Sequence, residues 1–223
     1  MTSPCEVEEN VKYFLKSIPE NITLIGVTKN IGIEDIKKAV SCGLKNIGEN
    51  KVQEALDKYI YLKQLNLKWH LIGHLQTNKV KKAVEIFDLI HSVDSLKLAN
   101  IISKEAKKFG KRQEVLLQVN VSGEETKSGF SLAEIENILP EMSKLNSIMI
   151  RGLMTIGPGN QNKDFISSCF KSLKELNEKI NKEKYFNHKL DILSMGMTND
   201  YKLAVEEGST MIRIGRAIFG ERN

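Results

Sequence analysis

A chain of 223 residues, 27% of them charged, has room for a proper core and contains no apolar run long enough to cross a bilayer. Its formal charge of +5 is small, and lysines spread along helical faces such as "KEAKKFGKR" and "KSLKELNEKINKEK" without interleaved aromatics argue for a small anionic ligand and against a nucleic-acid surface. Cys5, Cys42 and Cys169 are odd in number, far apart and outside any CxxC pattern, so neither a disulfide framework nor a zinc site is suggested, and "MTSPCEVEENVKYFLKS" has no apolar h-region, so a cytoplasmic protein away from membranes is expected.

In chain order, "EVEENVKYFLKSI" reads as an amphipathic helix and "ITLIGV" as the first strand. There follow helix "IEDIKKAVSCG", strand "KNIG", helix "KVQEALDKYIYLKQL", strand "KWHLIG", helix "NKVKKAVEI" and strand "FDLIHS". The second half continues with helix "SLKLANIISKEAKKFG", strand "EVLLQVNV", helix "SLAEIENILPEMSKL" and strand "IMIRGLMTI". Helix "NKDFISSCFKSLKELNEKI", strand "LDILSM", helix "DYKLAVEEG" and strand "TMIRIG" complete it. Several helices begin at Ser, Asp or Asn and stop at Gly, as helix ends require. Eight strands, seven intervening helices and no hairpin signature predict an α/β fold, a closed (β/α)8 barrel in one domain over residues 1–223, with the N-terminal segment supplying the eighth outer helix.

Such barrels work at the rim where strands end. The rim candidates are Lys29 after strand one; Gly48, Glu49 and Asn50 after strand two; His74 and Gln76 after strand three; and Ser92 and Asp94 after strand four. Asn120, Met154 and Thr155, Ser194 and Gly196, and Arg213 and Gly215 follow the remaining four. Glycines and a hydroxyl in "LSMGMTND" and "RIGRAIFG" sit after the two last strands, where backbone N–H groups and a helix start can cradle phosphate and Arg216 can add a charged contact. The competing reading is a pair of tight turns. Lys29 ends the apolar run "LIGVTKN"; a partly desolvated lysine at a barrel mouth is a better amine nucleophile, suited to a Schiff base with an aldehyde, against the alternative of a strand-end lysine reaching for water. Arg213, between apolar neighbours, needs a partner, and a pyridine nitrogen would serve. Amine, phosphate cradle and ring-nitrogen partner are the contacts that pyridoxal 5'-phosphate needs.

The segments "GVTK", "GEN", "WHLIGHLQTNK", "HSVDS", "KSGF", "RGLMTIG", "LSMGM" and "MIRIGRAIFG", in this order over residues 24 to 220, resemble the pyridoxal phosphate homeostasis proteins, the YggS/PROSC family. That resemblance implies a single-domain TIM barrel similar to the N-terminal domain of alanine racemase. It implies Lys29 as the Schiff-base residue and Arg213 opposite the pyridine nitrogen. Ser194, Gly215 and the backbone of Arg216 would hold phosphate, and Asn50 and Met195 would line the ring. The sequence departs from the family pattern at Arg216, where many members carry a small hydroxyl residue, at Thr28 in place of a frequent serine, and in a short N-terminal helix.

An arginine at the ring nitrogen disfavours the pyridinium and weakens the electron sink on which amino-acid catalysis depends. Alanine racemases share that arginine but add a second domain with a catalytic tyrosine, for which this chain leaves no room. The expectation is therefore a non-catalytic, monomeric binder of pyridoxal phosphate in vitamin B6 and amino/keto-acid homeostasis, with apo enzymes or a regulatory protein as candidate partners. A single-domain amino-acid racemase is the alternative, and a Schiff-base aldolase is conceivable on fold alone. His70 and His74 lie in a strand running into a turn, with no acidic third ligand for a metal. His74 is expected to hydrogen-bond within the rim, Ser92 and Asp94 to cap a helix, and "GPGN" at Gly157 to be a plain loop.

Overall fold

Parallel strands that are apolar on both faces need helices outside and a filled interior, and closing the sheet removes both exposed edges. The computed structural model, which describes residues 4–124, 126–159 and 162–220, closes in this way. Its strands are β1 (Thr23–Val27), β2 (Asn46–Glu49), β3 (Lys68–Leu71), β4 (Leu89–Val93), β5 (Gln113–Gln118), β6 (Ile148–Met154), β7 (Ile192–Ser194) and β8 (Met211–Ile214). Each pairs in parallel with its sequence neighbours, and β8 returns to β1 with Ile25 opposite Arg213.

Around them run α1 (Pro4–Ser17), α2 (Ile33–Ser41), α3 (Val52–Leu62), α4 (Val80–Ile86), α5 (Leu96–Lys108), α6 (Leu132–Met142), α7 (Lys163–Glu183), α8 (Tyr201–Glu206) and the four-residue α9 (Arg216–Phe219). Their starts follow the expected chemistry. Ser95 accepts the Leu98 N–H at the head of α5, Asn162 that of Phe165 at α7, and Ser131 forms a reciprocal capping box with Glu134 at α6. The N-terminal segment does supply the outer helix over the closing strands: α1 packs against α2 and α9, Asn10 Nδ2 donates to Ile218 O at 3.2 Å, and Phe14 meets Tyr201 edge-on.

Two expectations change. Read as a strand to Val121, β5 ends at Gln118, because the following loop folds back on it: Asn120 N donates to Phe130 O and Phe130 N to Gln118 O. The cap expected of Ser92 and Asp94 is made by Ser95 instead; Ser92 Oγ donates to Gly73 O and Asp94 faces His74 at 3.2 Å. Cys42 and Cys169 are free thiols, and the side chain of Cys5 and residue Asn160 lie outside what the structure describes.

Most of the hydrophobic core lies between barrel and helices, where fully buried Ile36, Ile47, Leu71, Ile90 and Phe170 pack. A smaller cluster of Ile25, Leu89, Leu116, Met154 and Met211 fills the barrel's inside. It shares that interior with polar His70, His91, Ser194 and Arg213, all at most 4% exposed.

Candidate functional site

The period-two alternation of β1 decides which side chain reaches the mouth. Ile25 joins the inner cluster, Leu24 the outer layer, and Val27 and Lys29 both line a cavity at the C-terminal mouth. Thr28, between them, is turned out through the barrel wall into a buried ionic cluster. There Lys58 Nζ, from α3, donates to Thr28 O at 2.6 Å, to Glu49 Oε1 at 2.8 Å and to Glu54 Oε1 at 2.7 Å. Thr28 Oγ1 donates to Glu49 Oε1 at 2.6 Å, and Glu54 accepts the N–H of Asn30. Asn30 sits at φ 60°, a left-handed conformation that asparagine tolerates. Both neighbours of Lys29 are thus tied down while Lys29 itself is half-buried. Burial pushes the Glu49 carboxyl up against the pull of Lys58. For Glu54, partial burial also acts upward, but hydrogen bonds from Lys58 and Asn30 outweigh it and lower the group.

Arg213 approaches the same cavity from inside the barrel. It is 4% exposed, and burial lowers its guanidinium to about 10, with Asp200 pulling the other way. Its Nη1 donates to Ser194 Oγ at 2.6 Å and its Nη2 to Thr155 O at 2.7 Å. Among the described residues these bonds take two of its five N–H groups, and the guanidinium lines the cavity with donors to offer an acceptor there.

The cavity, of about 320 Å3, unites Lys29 and Arg213 with Gly215 and Arg216 at the start of α9, the Gly157–Gly159 turn, and the loop from Met197 to Asp200. That last loop leaves β7 through Gly196, at φ 98°, where a Cβ would lie 2.6 Å from Ala204 Cβ. Asp200 Oδ1 then accepts the Met197 N–H at 2.6 Å and fixes the loop.

Four of the residues singled out from sequence, Lys29, Arg213, Gly215 and Arg216, therefore meet in one cavity. Ser194, assigned to phosphate, is turned inward and fully buried, with its hydroxyl engaged by Arg213 and His91. Met195, assigned to the ring, belongs by the same alternation to the outer hydrophobic layer, also fully buried. Asn50 is half-buried beyond β2, with Gly73 so close that a Cβ there would lie 2.3 Å from Asn50 O. None of these three lines the cavity. Sequence reasoning passed over Thr198 and Asn199, inside the quoted "LSMGMTND", and over Gly157, which reads as an ordinary loop glycine; all three line the mouth. The signal for Thr198 was a hydroxyl four residues past the strand-end serine, in the loop that leaves β7. His91, inside "HSVDS", was not weighed at all, and His74 is an exposed rim group paired with Asp94.

Comparison with known proteins gives first the class. Residues 4–223 match the family described as alanine racemase, N-terminal domain. Alanine racemase of Clostridium difficile 630 superposes with a TM-score of 0.82 over 98% of this chain and 57% of that one, at 16% identity, a likeness of fold. Closer in sequence is PipY of Synechococcus elongatus PCC7942: its structure without PLP has a TM-score of 0.92 at 38% identity, covering 96% of this chain and all of that one. Its structure with PLP bound has a TM-score of 0.90 at 37% identity over the same shares. A pyridoxal phosphate homeostasis protein of Aquifex aeolicus strain VF5 is 45% identical over 199 residues, 89% of this chain and 86% of that protein. The chain belongs to the pyridoxal phosphate homeostasis protein family.

Proposed function

We propose that this protein binds pyridoxal 5'-phosphate at the barrel mouth, as one unit over residues 1–223, and serves the homeostasis of vitamin B6 and of amino and keto acids without catalytic turnover. The observation that carries the reading is the meeting of Lys29, Arg213 and two glycine-bearing loops in one cavity of about 320 Å3. The donor set fits the group: a half-buried amine for the aldehyde, a buried donor-only guanidinium for the ring nitrogen, and the start of α9 with the Thr198 loop for phosphate. Bound there, pyridoxal phosphate would supply a reactive aldehyde, and Lys29 would hold it through its amine. PipY, whose structure carries PLP, supports the assignment by its likeness to this chain.

The same residues argue for a carrier. A guanidinium facing the ring nitrogen opposes its protonation, since two positive charges would meet. Racemisation needs a second acid or base opposite Lys29. Among the described residues Asp200 is the carboxylate that lines the cavity: its Oδ1 accepts the Met197 N–H and burial raises it, so it is the group that a racemase reading would have to employ. No helix among the described residues is long and apolar enough to cross a membrane, which accords with a cytoplasmic pool from which apo enzymes draw cofactor.

An absorption spectrum of purified protein, with borohydride reduction and peptide mapping, tests this directly. A visible band that reduces onto Lys29 is expected, and Lys29→Ala should abolish both band and covalent adduct while the protein stays folded. A colourless protein that pyridoxal phosphate cannot reconstitute, or an adduct that survives in Lys29→Ala, overturns the assignment. Deuterium from solvent appearing at the α-carbon of an amino acid would favour the racemase instead.

A further inference from the structure

A continuous chain of hydrogen bonds runs through the barrel from Arg213 on β8 across to β4 and back round to Asn46 on β2, two strands from where it began. Ser194 Oγ, which accepts Arg213 Nη1, lies 3.0 Å from His91 Nδ1; His91 Nε2 lies 3.0 Å from His70 Nδ1; and His70 Nε2 lies 3.1 Å from Asn46 Oδ1. Five strands, β8, β7, β4, β3 and β2, contribute one residue each.

The sense of this chain follows from its first member. A guanidinium only donates, so Ser194 Oγ must accept, and its single proton has His91 Nδ1 as a partner. A neutral imidazole has one donor and one acceptor nitrogen, so a proton on Nε2 of His91 points at His70 Nδ1 and one on Nε2 of His70 at Asn46 Oδ1. Every donor and acceptor is then matched. In the opposite sense Ser194 would accept twice, leaving a fully buried hydroxyl proton without a partner, which is costly. Both rings are neutral in either case: burial lowers His70 to about 4 and His91 well below its ordinary value, and a charge on either would sit in line with Arg213.

We propose that Ser194, His91, His70 and Asn46 are positioning residues, a directed relay of neutral hydrogen bonds that holds the Arg213 guanidinium in one orientation toward the ring nitrogen of the bound ligand. This rests on the pyridoxal phosphate reading above. Thr155 O, just past β6, holds the second guanidinium nitrogen, so the relay and that carbonyl together remove the rotation that a buried arginine would otherwise keep. The covalent link at Lys29 is independent of it.

The test separates the ring nitrogen from everything else. Dissociation constants are measured for pyridoxal phosphate and for its 1-deaza analogue, in which C–H replaces the ring nitrogen, with unsubstituted protein, Ser194→Ala and His91→Phe. The unsubstituted protein should prefer the natural ligand. Each variant should weaken that ligand about tenfold, leave the analogue within about twofold, and retain borohydride fixation at Lys29. Equal losses for both ligands make the chain mere core packing and overturn the proposal. Failure of the unsubstituted protein to bind either ligand removes the cofactor reading and the relay together. Imidazole 15N spectra of the unsubstituted protein decide the matter should a variant not fold: neutral rings protonated on Nε2 at both His70 and His91 are expected, and a proton on Nδ1 of either ring overturns the relay.

Discussion

Lys29 and Arg213 face the same cavity and are held in opposite ways. Lys29 is half-buried and is positioned from outside the barrel wall: its neighbours Thr28 and Asn30 are gripped by the Lys58, Glu49 and Glu54 cluster. Arg213 is buried and is held by its own guanidinium, from inside the barrel, through neutral partners. The difference matches two tasks. An amine that must form and release a bond needs a backbone fixed at the cavity, whereas a guanidinium that must present a donor in one direction needs a fixed tip.

The largest way to break the contrast is on the Lys29 side. Lys58→Met should lower stability by about 3–5 kcal/mol, read as a shift in urea midpoint, because it strands two carboxylates that share one buried cation. An effect below about 1 kcal/mol would show that the cluster is wetter than it looks. On the Arg213 side, pH is the lever. Unfolded histidine takes a proton near 6.5 and His70 in the folded protein only at about 4, so its contribution is complete above the first value and drains away as pH falls toward the second. The loss should approach 3 kcal/mol, roughly, and the difference between the stability profiles of His70→Asn and the unsubstituted protein isolates it from carboxylates such as Glu49, whose raised value acts in the opposite direction. Parallel profiles would refute a neutral buried His70.

Arg213→Ala should weaken pyridoxal phosphate by one to two orders of magnitude, about 1.5–3 kcal/mol, while borohydride still fixes the ligand on Lys29; undiminished retention would sink the ring contact. The smallest effect is expected at the open rim. His74 is exposed beside Asp94, and His74→Ala should change thermal stability by less than about 0.5 kcal/mol, the scale of a solvent-exposed polar contact. A larger change would make the rim part of the clamp.

Much of this was legible in the sequence. Eight apolar runs separated by capped amphipathic helices lead to a closed barrel, and the strand-end rule brings Lys29, Arg213, Gly215 and Arg216 to one mouth. Facing was not legible: Ser194 and Met195 are adjacent, and the pleat sends the side chain of the first into the barrel and that of the second out of it. Thr198 was read past because its loop has no period of its own, and His91 because one histidine in an apolar strand carries no pattern.

The chain by itself determined the class of fold, the family, and which residues stand at strand ends, since these depend on local periodicity, capping and short order-preserving motifs. Only the tertiary structure decided what holds the two cations in place. Thr28 and Lys58 are 30 residues apart and meet where α3 packs on the barrel wall, and His91 and Ser194 are 103 apart. The second bond exists because closing the barrel brings strands around one axis, and no local pattern records which inward side chains will then lie within roughly 3 Å of one another, the reach of a hydrogen bond.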